Sequence, residues 1–179
     1  MSMALQTTYT DTPPIAFPGT LGAGPRVTLP AKQAEASVSV PFGTAMAFRP
    51  SGATSDLDAT LPANSTDTIM GILYRSNGYA PSWTDSNGTQ GELDSVGVRP
   101  GTLIDLLCEG MIYVTCEDGC SPASRLWVRY TTAGAGKGAL RASDAGGSTT
   151  MDCTKQGEWL STATAGNLAW LKVNFTAKA

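Results

Sequence analysis

The sequence predicts an all-β domain, antiparallel and jelly-roll or barrel-like, carrying an extended N-terminal arm. Three observations predict it. The 179 residues include 20 Gly, 11 Pro and 23 Thr, the mixture that builds many short strands joined by tight turns. Apolar residues alternate along short runs, and these runs recur at a spacing of roughly ten residues between Gly, Pro and Asn-Gly breaks. No window of about twelve residues keeps a helical period. Apolar residues are 41% of the chain, sufficient for one buried core without metal or disulfide staples.

The arm spans residues 1–35 and the β domain residues 36–179. Residues 11–25 hold four prolines and three glycines. Proline fixes φ and lacks a donor, so neither a long helix nor a central strand fits there. Yet Tyr9, Ile15, Phe17 and Leu21 are large apolar side chains that a free tail does not favour. They mark the arm as a segment that lies on another surface, and they are the candidate partner-binding residues.

From Ser37 the pattern is strands and turns. Ser37-Val38-Ser39-Val40 alternates and breaks at Pro41-Phe42-Gly43. Ala45-Met46-Ala47-Phe48 follows, then a polar loop over residues 51–66. Residues 68–74 form a buried strand, with Gly71 marking a bulge or a close backbone approach. Asn77-Gly78 and Asn87-Gly88 are turns flanking Trp83. Residues 102–108 and 111–116 predict two strands joined across Glu109-Gly110, with Ile112, Val114 and Cys116 on one face. Residues 125–130 alternate with Leu126, Val128 and Tyr130 on one side. A Gly-Ala loop over 131–138 precedes short strands near 140–142, 149–153 and 159–163. The last strand, 168–175, places Ala169, Leu171, Val173 and Phe175 inward.

The composition also excludes function classes. There is no histidine, which removes Ser-His-Asp and Cys-His mechanisms and His-containing metal sites. The net charge is −3, and the 12 Lys and Arg form no basic stripe of the kind that displaces counterions from phosphates. No nucleic-acid partner is therefore expected. No apolar run of about 18 residues exists, so no membrane span is expected. The N-terminal residues show neither a basic start nor an apolar secretory core.

Individual motifs favour bland readings. Gly134-Ala135-Gly136-Lys137-Gly138 lacks the Ser or Thr that a phosphate loop places after its lysine, and reads as a hairpin loop. Asp56 with Asp58, and Glu117-Asp118-Gly119, read as solvated turns because neither supplies a full set of calcium oxygens. Cys116 and Cys120 form a lone C-x3-C, with Cys108 and Cys153 apart, so the cysteines read as unmetallated packing residues. No catalytic residue, metal or cofactor is expected. Trp83, Trp127, Trp159 and Trp170 are core or interface residues on one reading and a carbohydrate platform on another.

The ordered series of features resembles the capsid decoration, or cement, proteins of tailed bacteriophages. The resemblance runs through Val38-Ser39-Val40-Pro41-Phe42-Gly43, through Ile69-Met70-Gly71-Ile72, and is strongest over residues 98–114, Val-Arg-Pro-Gly-Thr-Leu-Ile-Asp-Leu-Leu-Cys-Glu-Gly-Met-Ile-Tyr-Val. It continues at Leu126-Trp127-Val128-Arg129-Tyr130, Gly138-Ala139-Leu140-Arg141-Ala142 and Leu168-Ala169-Trp170-Leu171. The segment from Ser76 to Ser95 and the four cysteines depart from the family's pattern. The resemblance implies a non-enzymatic β-fold on the capsid exterior of the virion, made in the host bacterial cytoplasm. It also implies two partners: the major capsid protein, whose neighbouring subunits the chain bridges, and itself, as a dimer or trimer at a capsid symmetry axis. The alternative is a carbohydrate- or host-surface-binding β-sandwich module of a phage particle.

Overall fold

A computed structural model describes residues 17–35, 39–48, 58–75, 97–99, 101–132, 136–146 and 148–176. Among them are twelve strands and no helix. In chain order these are β1 (Val27–Gln33), β2 (Val40–Pro41), β3 (Ala45–Phe48), β4 (Asp58–Thr60), β5 (Ile69–Leu73), β6 (Gly97–Val98), β7 (Leu103–Thr115), β8 (Trp127–Arg129), β9 (Leu140–Arg141), β10 (Thr150–Asp152), β11 (Gly157–Trp159) and β12 (Leu168–Asn174).

Strands β1, β4, β3, β5 and β7 close into a barrel, because β1 pairs with β4 and also with β7. Closure joins the two ends of this five-strand run. The β1–β4 contact is parallel, at Lys32–Asp58 and Gln33–Ala59, and the other barrel pairings are antiparallel. β12 and β11 extend the sheet beyond β7. A three-stranded sheet, β10-β8-β9, and a two-stranded ladder, β2-β6, complete the fold.

β7 organises the molecule and differs from the expectation. Residues 103–115 form one strand of 13 residues where the sequence predicts a hairpin across Glu109-Gly110. A two-residue hairpin turn across Glu109-Gly110 needs positive φ at its first residue, Glu109. Here Gly110 alone takes it, at φ 136°, and the chain runs straight on. A Cβ on Gly110 would sit 3.2 Å from the Cβ of Arg26 and 3.3 Å from the Pro25 carbonyl oxygen, so the glycine serves a close crossing by the arm. The first half of β7 pairs with β1 and β5, and the second half with β12.

Two further expectations shift. Residues 27–33, read as part of the arm, form β1 inside the barrel. Pro30 is tolerated because β1 meets β4 only at Lys32 and Gln33, leaving the earlier residues with a ladder on one side. Asp58, read as a solvated loop residue, lies in β4 and is buried. Its partner in that motif, Asp56, falls outside the described residues. Gly71 does mark a close approach: a Cβ there would stand 2.6 Å from the Leu107 carbonyl oxygen, and the β3 register shifts opposite it.

The core has two parts. Ala31, Val40, Phe42, Met46, Ala59, Leu73, Val98, Ile104 and Leu106 pack together on the barrel side. Leu107, Ile112, Val114, Leu126, Val128, Leu140, Trp159, Leu171 and Val173 join the extended sheet to the three-stranded one. The period-two reading of β12 holds, with Ala169, Leu171 and Val173 buried and Lys172 exposed. Trp159 is fully buried and its Nε1 donates to the Arg125 carbonyl at 3.0 Å, so it is closed to any sugar platform. Trp83 lies outside the described residues. Trp170 stacks on Tyr113 with ring centroids 5.3 Å apart.

Candidate functional site

The arm's root is built into the barrel. The Gly19 N–H donates to the Tyr113 carbonyl at 2.8 Å, Tyr113 N–H to Thr20 at 2.9 Å, and Gly22 N–H to Met111 at 2.7 Å. On its other side the Gly19 carbonyl accepts the Arg75 N–H at 2.9 Å. Residues 19–22 thus run as a short strand against β7, with Leu21 bridging Ile112. Two glycines permit this fit. Gly19 takes φ 80°, and a Cβ there would lie 2.8 Å from that of Phe42. A Cβ on Gly22 would lie 2.9 Å from that of Met111 and 3.2 Å from Trp170 Nε1.

The structure separates the four arm residues that the sequence singles out. Leu21 packs, partly buried, against the second core cluster and serves the domain's own stability. Phe17 stays 41% exposed at the point where the described chain begins. Tyr9 and Ile15 fall outside the described residues. Sequence reasoning missed Arg75, whose guanidinium lies 5.3 Å from the Phe17 ring centroid and 5.1 Å from that of Phe42. A single Arg at a strand end carries no sequence signal of such a contact.

Beside the root is an open cleft of about 600 Å³ with Pro18, Phe42, Leu61, Lys137 and Leu140 in its walls. The wall that carries Lys137 and Leu140 is held behind the cleft by the backbone of the intervening Gly138. Ala45 N–H donates to the Gly138 carbonyl at 2.9 Å, and a Cβ on Gly138 would fall 2.3 Å from Thr44 Cγ2. Further exposed apolar side chains are Leu103, at 75% exposure, and Val27.

Glu117 and Asp118 are not a solvated turn. The Arg129 Nε and Nη2 atoms donate to the two Glu117 oxygens at 2.9 and 2.7 Å. Arg141 reaches Glu117 at 2.9 Å and Asp118 at 3.2 Å. Asp118 also accepts the Ala142 and Ser143 N–H groups at 2.8 and 3.1 Å. This network ties the end of β7 to β8 and β9, and both carboxylates are already committed to arginines and amides.

Burial pushes both carboxyls up, but the charged and hydrogen-bonding partners outweigh it. Both are held below their ordinary values of 4.5 and 3.8. The folded value is the lower one, so the network's stabilisation is present above the unfolded-chain value and is lost as pH falls through the folded one. The denaturant midpoint should therefore hold from pH 7 to about 5 and fall below about pH 4. Glu117→Gln should lower the midpoint at pH 7 and flatten that fall. An unchanged slope in the variant would contradict this account.

All four cysteines are free and buried. Burial pushes the Cys116 and Cys153 thiols up to about 12, which removes the reactive thiolate at neutral pH. The folded protein should leave its thiols unreacted with a disulfide reagent, and chelator should leave its melting temperature unchanged. Rapid labelling of the native state, or one tightly held zinc per chain, would contradict this. Among the described residues no three metal-ligating side chains converge.

A family profile described as structural cement protein (E217 gp24/Pam3 gp6) matches residues 5–174. The chain belongs to the structural cement protein family. It is thus a structural phage protein of the cement type, as the ordered motifs imply. A chain from the capsid of Myoviridae phage XM1 shares 16% identity, covers 96% of this chain and 98% of its own, and superposes with a TM-score of 0.61. At that identity the likeness is one of fold. The N base of head fibre gp8.5 of bacteriophage phi29 also shares 16% identity, over 83% of this chain and 94% of its own, with a TM-score of 0.37. No curated protein matches the sequence.

Proposed function

We propose that this cement protein binds the outer surface of the capsid and bridges neighbouring major capsid subunits, stabilising a shell that has already assembled. The observation that carries the proposal is the family match beginning at residue 5, within the arm, combined with an arm root hydrogen-bonded into the barrel at Gly19, Thr20 and Gly22. An arm whose root is hydrogen-bonded into the barrel suits attachment across a subunit boundary. Tyr9, Ile15 and Phe17 are the proposed contact residues, and Leu21 their anchor.

The energetics follow from repetition. Each attachment is modest, but copies around a symmetric shell act together, and a dimer or trimer at a symmetry axis gains avidity without new contacts. A ligand that binds the assembled shell better than separated subunits shifts the disassembly equilibrium by linkage. The role requires no catalysis, cofactor, nucleic acid or membrane. It places the protein on the virion exterior after synthesis in the host cytoplasm. Co-sedimentation tests it: purified protein should pellet with expanded capsids and not with dissociated capsid subunits. Binding to host glycans with no binding to capsids would overturn it in favour of a host-surface module.

A further inference from the structure

The junction at Phe17, Arg75 and Phe42 is more elaborate than chain connection requires. Phe42 is buried and fixed on both sides. The preceding Val40 and Pro41 pair with Val98 and Gly97, and the following Gly43 donates to the Leu73 carbonyl at 2.7 Å. Arg75 is fixed through its own backbone, whose N–H bonds Gly19. The Phe17 ring, by contrast, belongs to the arm and is partly exposed. The guanidinium therefore couples one ring of the rigid body to one ring of the arm, by the attraction of a cation to aromatic faces.

We propose that Arg75 is a positioning residue for the arm: by holding its guanidinium against the rings of Phe17 and Phe42, it fixes Phe17 against the barrel. A contact residue held in place loses less conformational freedom when it binds, and preorganisation of this kind strengthens binding without adding a contact to the partner. The consequence for attachment rests on the bridging role proposed above; the fixing of Phe17 does not.

Two readouts keep these apart. The first needs no capsid. A spin label on Ala16→Cys reports motion beside the junction, and the buried native thiols leave the new one as the reactive site. Arg75→Met, which keeps the length and loses the charge, should increase label mobility, whereas Arg75→Lys should restore part of the restraint. Phe17→Leu, which keeps apolar bulk and loses the aromatic face, should act as Arg75→Met does and serves as the second route if that variant fails to fold. Unchanged mobility in folded Arg75→Met or folded Phe17→Leu would overturn the inference.

The second readout is capsid affinity in a double-mutant cycle. Arg75→Met should weaken binding of the full chain by about 3–10-fold and have a clearly smaller effect once residues 1–16 are deleted, when Phe17 alone remains of the proposed contacts. An equal effect in both backgrounds would assign Arg75 a role unrelated to the arm and overturn the inference. If label mobility rises but deletion of residues 1–16 leaves affinity unchanged, the restraint stands and the arm-mediated bridging fails.

Discussion

Deleting residues 1–16 should leave the barrel folded and strip the protein from the particle. The cut falls before the hydrogen bonds that Gly19, Thr20 and Gly22 make with β7, so the root strand and the Leu21 contact survive. The deletion removes Tyr9 and Ile15. Burying a large apolar side chain contributes roughly 1.5–3 kcal/mol, so two of them, less the cost of ordering the segment, amount to about a 100-fold change in affinity. Avidity multiplies the loss over every attached copy. The melting temperature should stay within a few degrees of the full chain's, while occupancy on sedimented particles falls to background. Equal occupancy with and without the arm would refute the arm's role and leave the barrel surface around Leu103 to carry attachment.

The second large effect is on stability. Trp159→Ala should destabilise the domain by about 3–5 kcal/mol, a large part of the roughly 5–15 kcal/mol that holds an average domain together. Trp159 is fully buried in the cluster that joins β11 and β12 to the three-stranded sheet. Its loss opens a cavity there and strands the Arg125 carbonyl that its indole N–H satisfies at 3.0 Å. Trp127→Ala, at a partly exposed position in β8, should cost markedly less. Urea denaturation of the two variants checks the contrast. A Trp159→Ala midpoint equal to that of Trp127→Ala would mean that the second core cluster is not the seam holding the two sheets together.

Most of the strand content was legible because alternation along a half-buried strand is a local property. Residues 168–174 announce their buried face one residue in two, whereas in 127–129 the adjacent Val128 and Arg129 are both buried. What was not legible was the consequence of long-range pairing. Glu109-Gly110 looks like a turn to any local rule, and only the simultaneous presence of β1, β5 and β12 along residues 103–115 keeps the strand continuous. Residues 27–33 look like arm because Pro30 disfavours a strand with ladders on both sides. The barrel offers it a place where one ladder suffices. Asp58 looks like a surface carboxylate until the β1–β4 pairing buries it. The candidate surface was half legible: large apolar residues in a Pro- and Gly-rich segment point to the arm, but only the fold distinguishes Leu21, which the domain keeps, from Phe17, which it presents. Arg75 was invisible, since its role comes from two rings distant in sequence.

The central claim is that this protein stabilises a shell it does not build, and heat-triggered DNA release measures that directly. Particles stripped of the protein, and the same particles re-decorated to full occupancy, would be heated with a dye that reports exposed DNA. Stripped particles should retain correct geometry yet release DNA at a lower temperature, and re-decoration should restore the wild-type release temperature in proportion to occupancy. Coincident release curves for stripped and fully decorated particles would contradict the stabilising role.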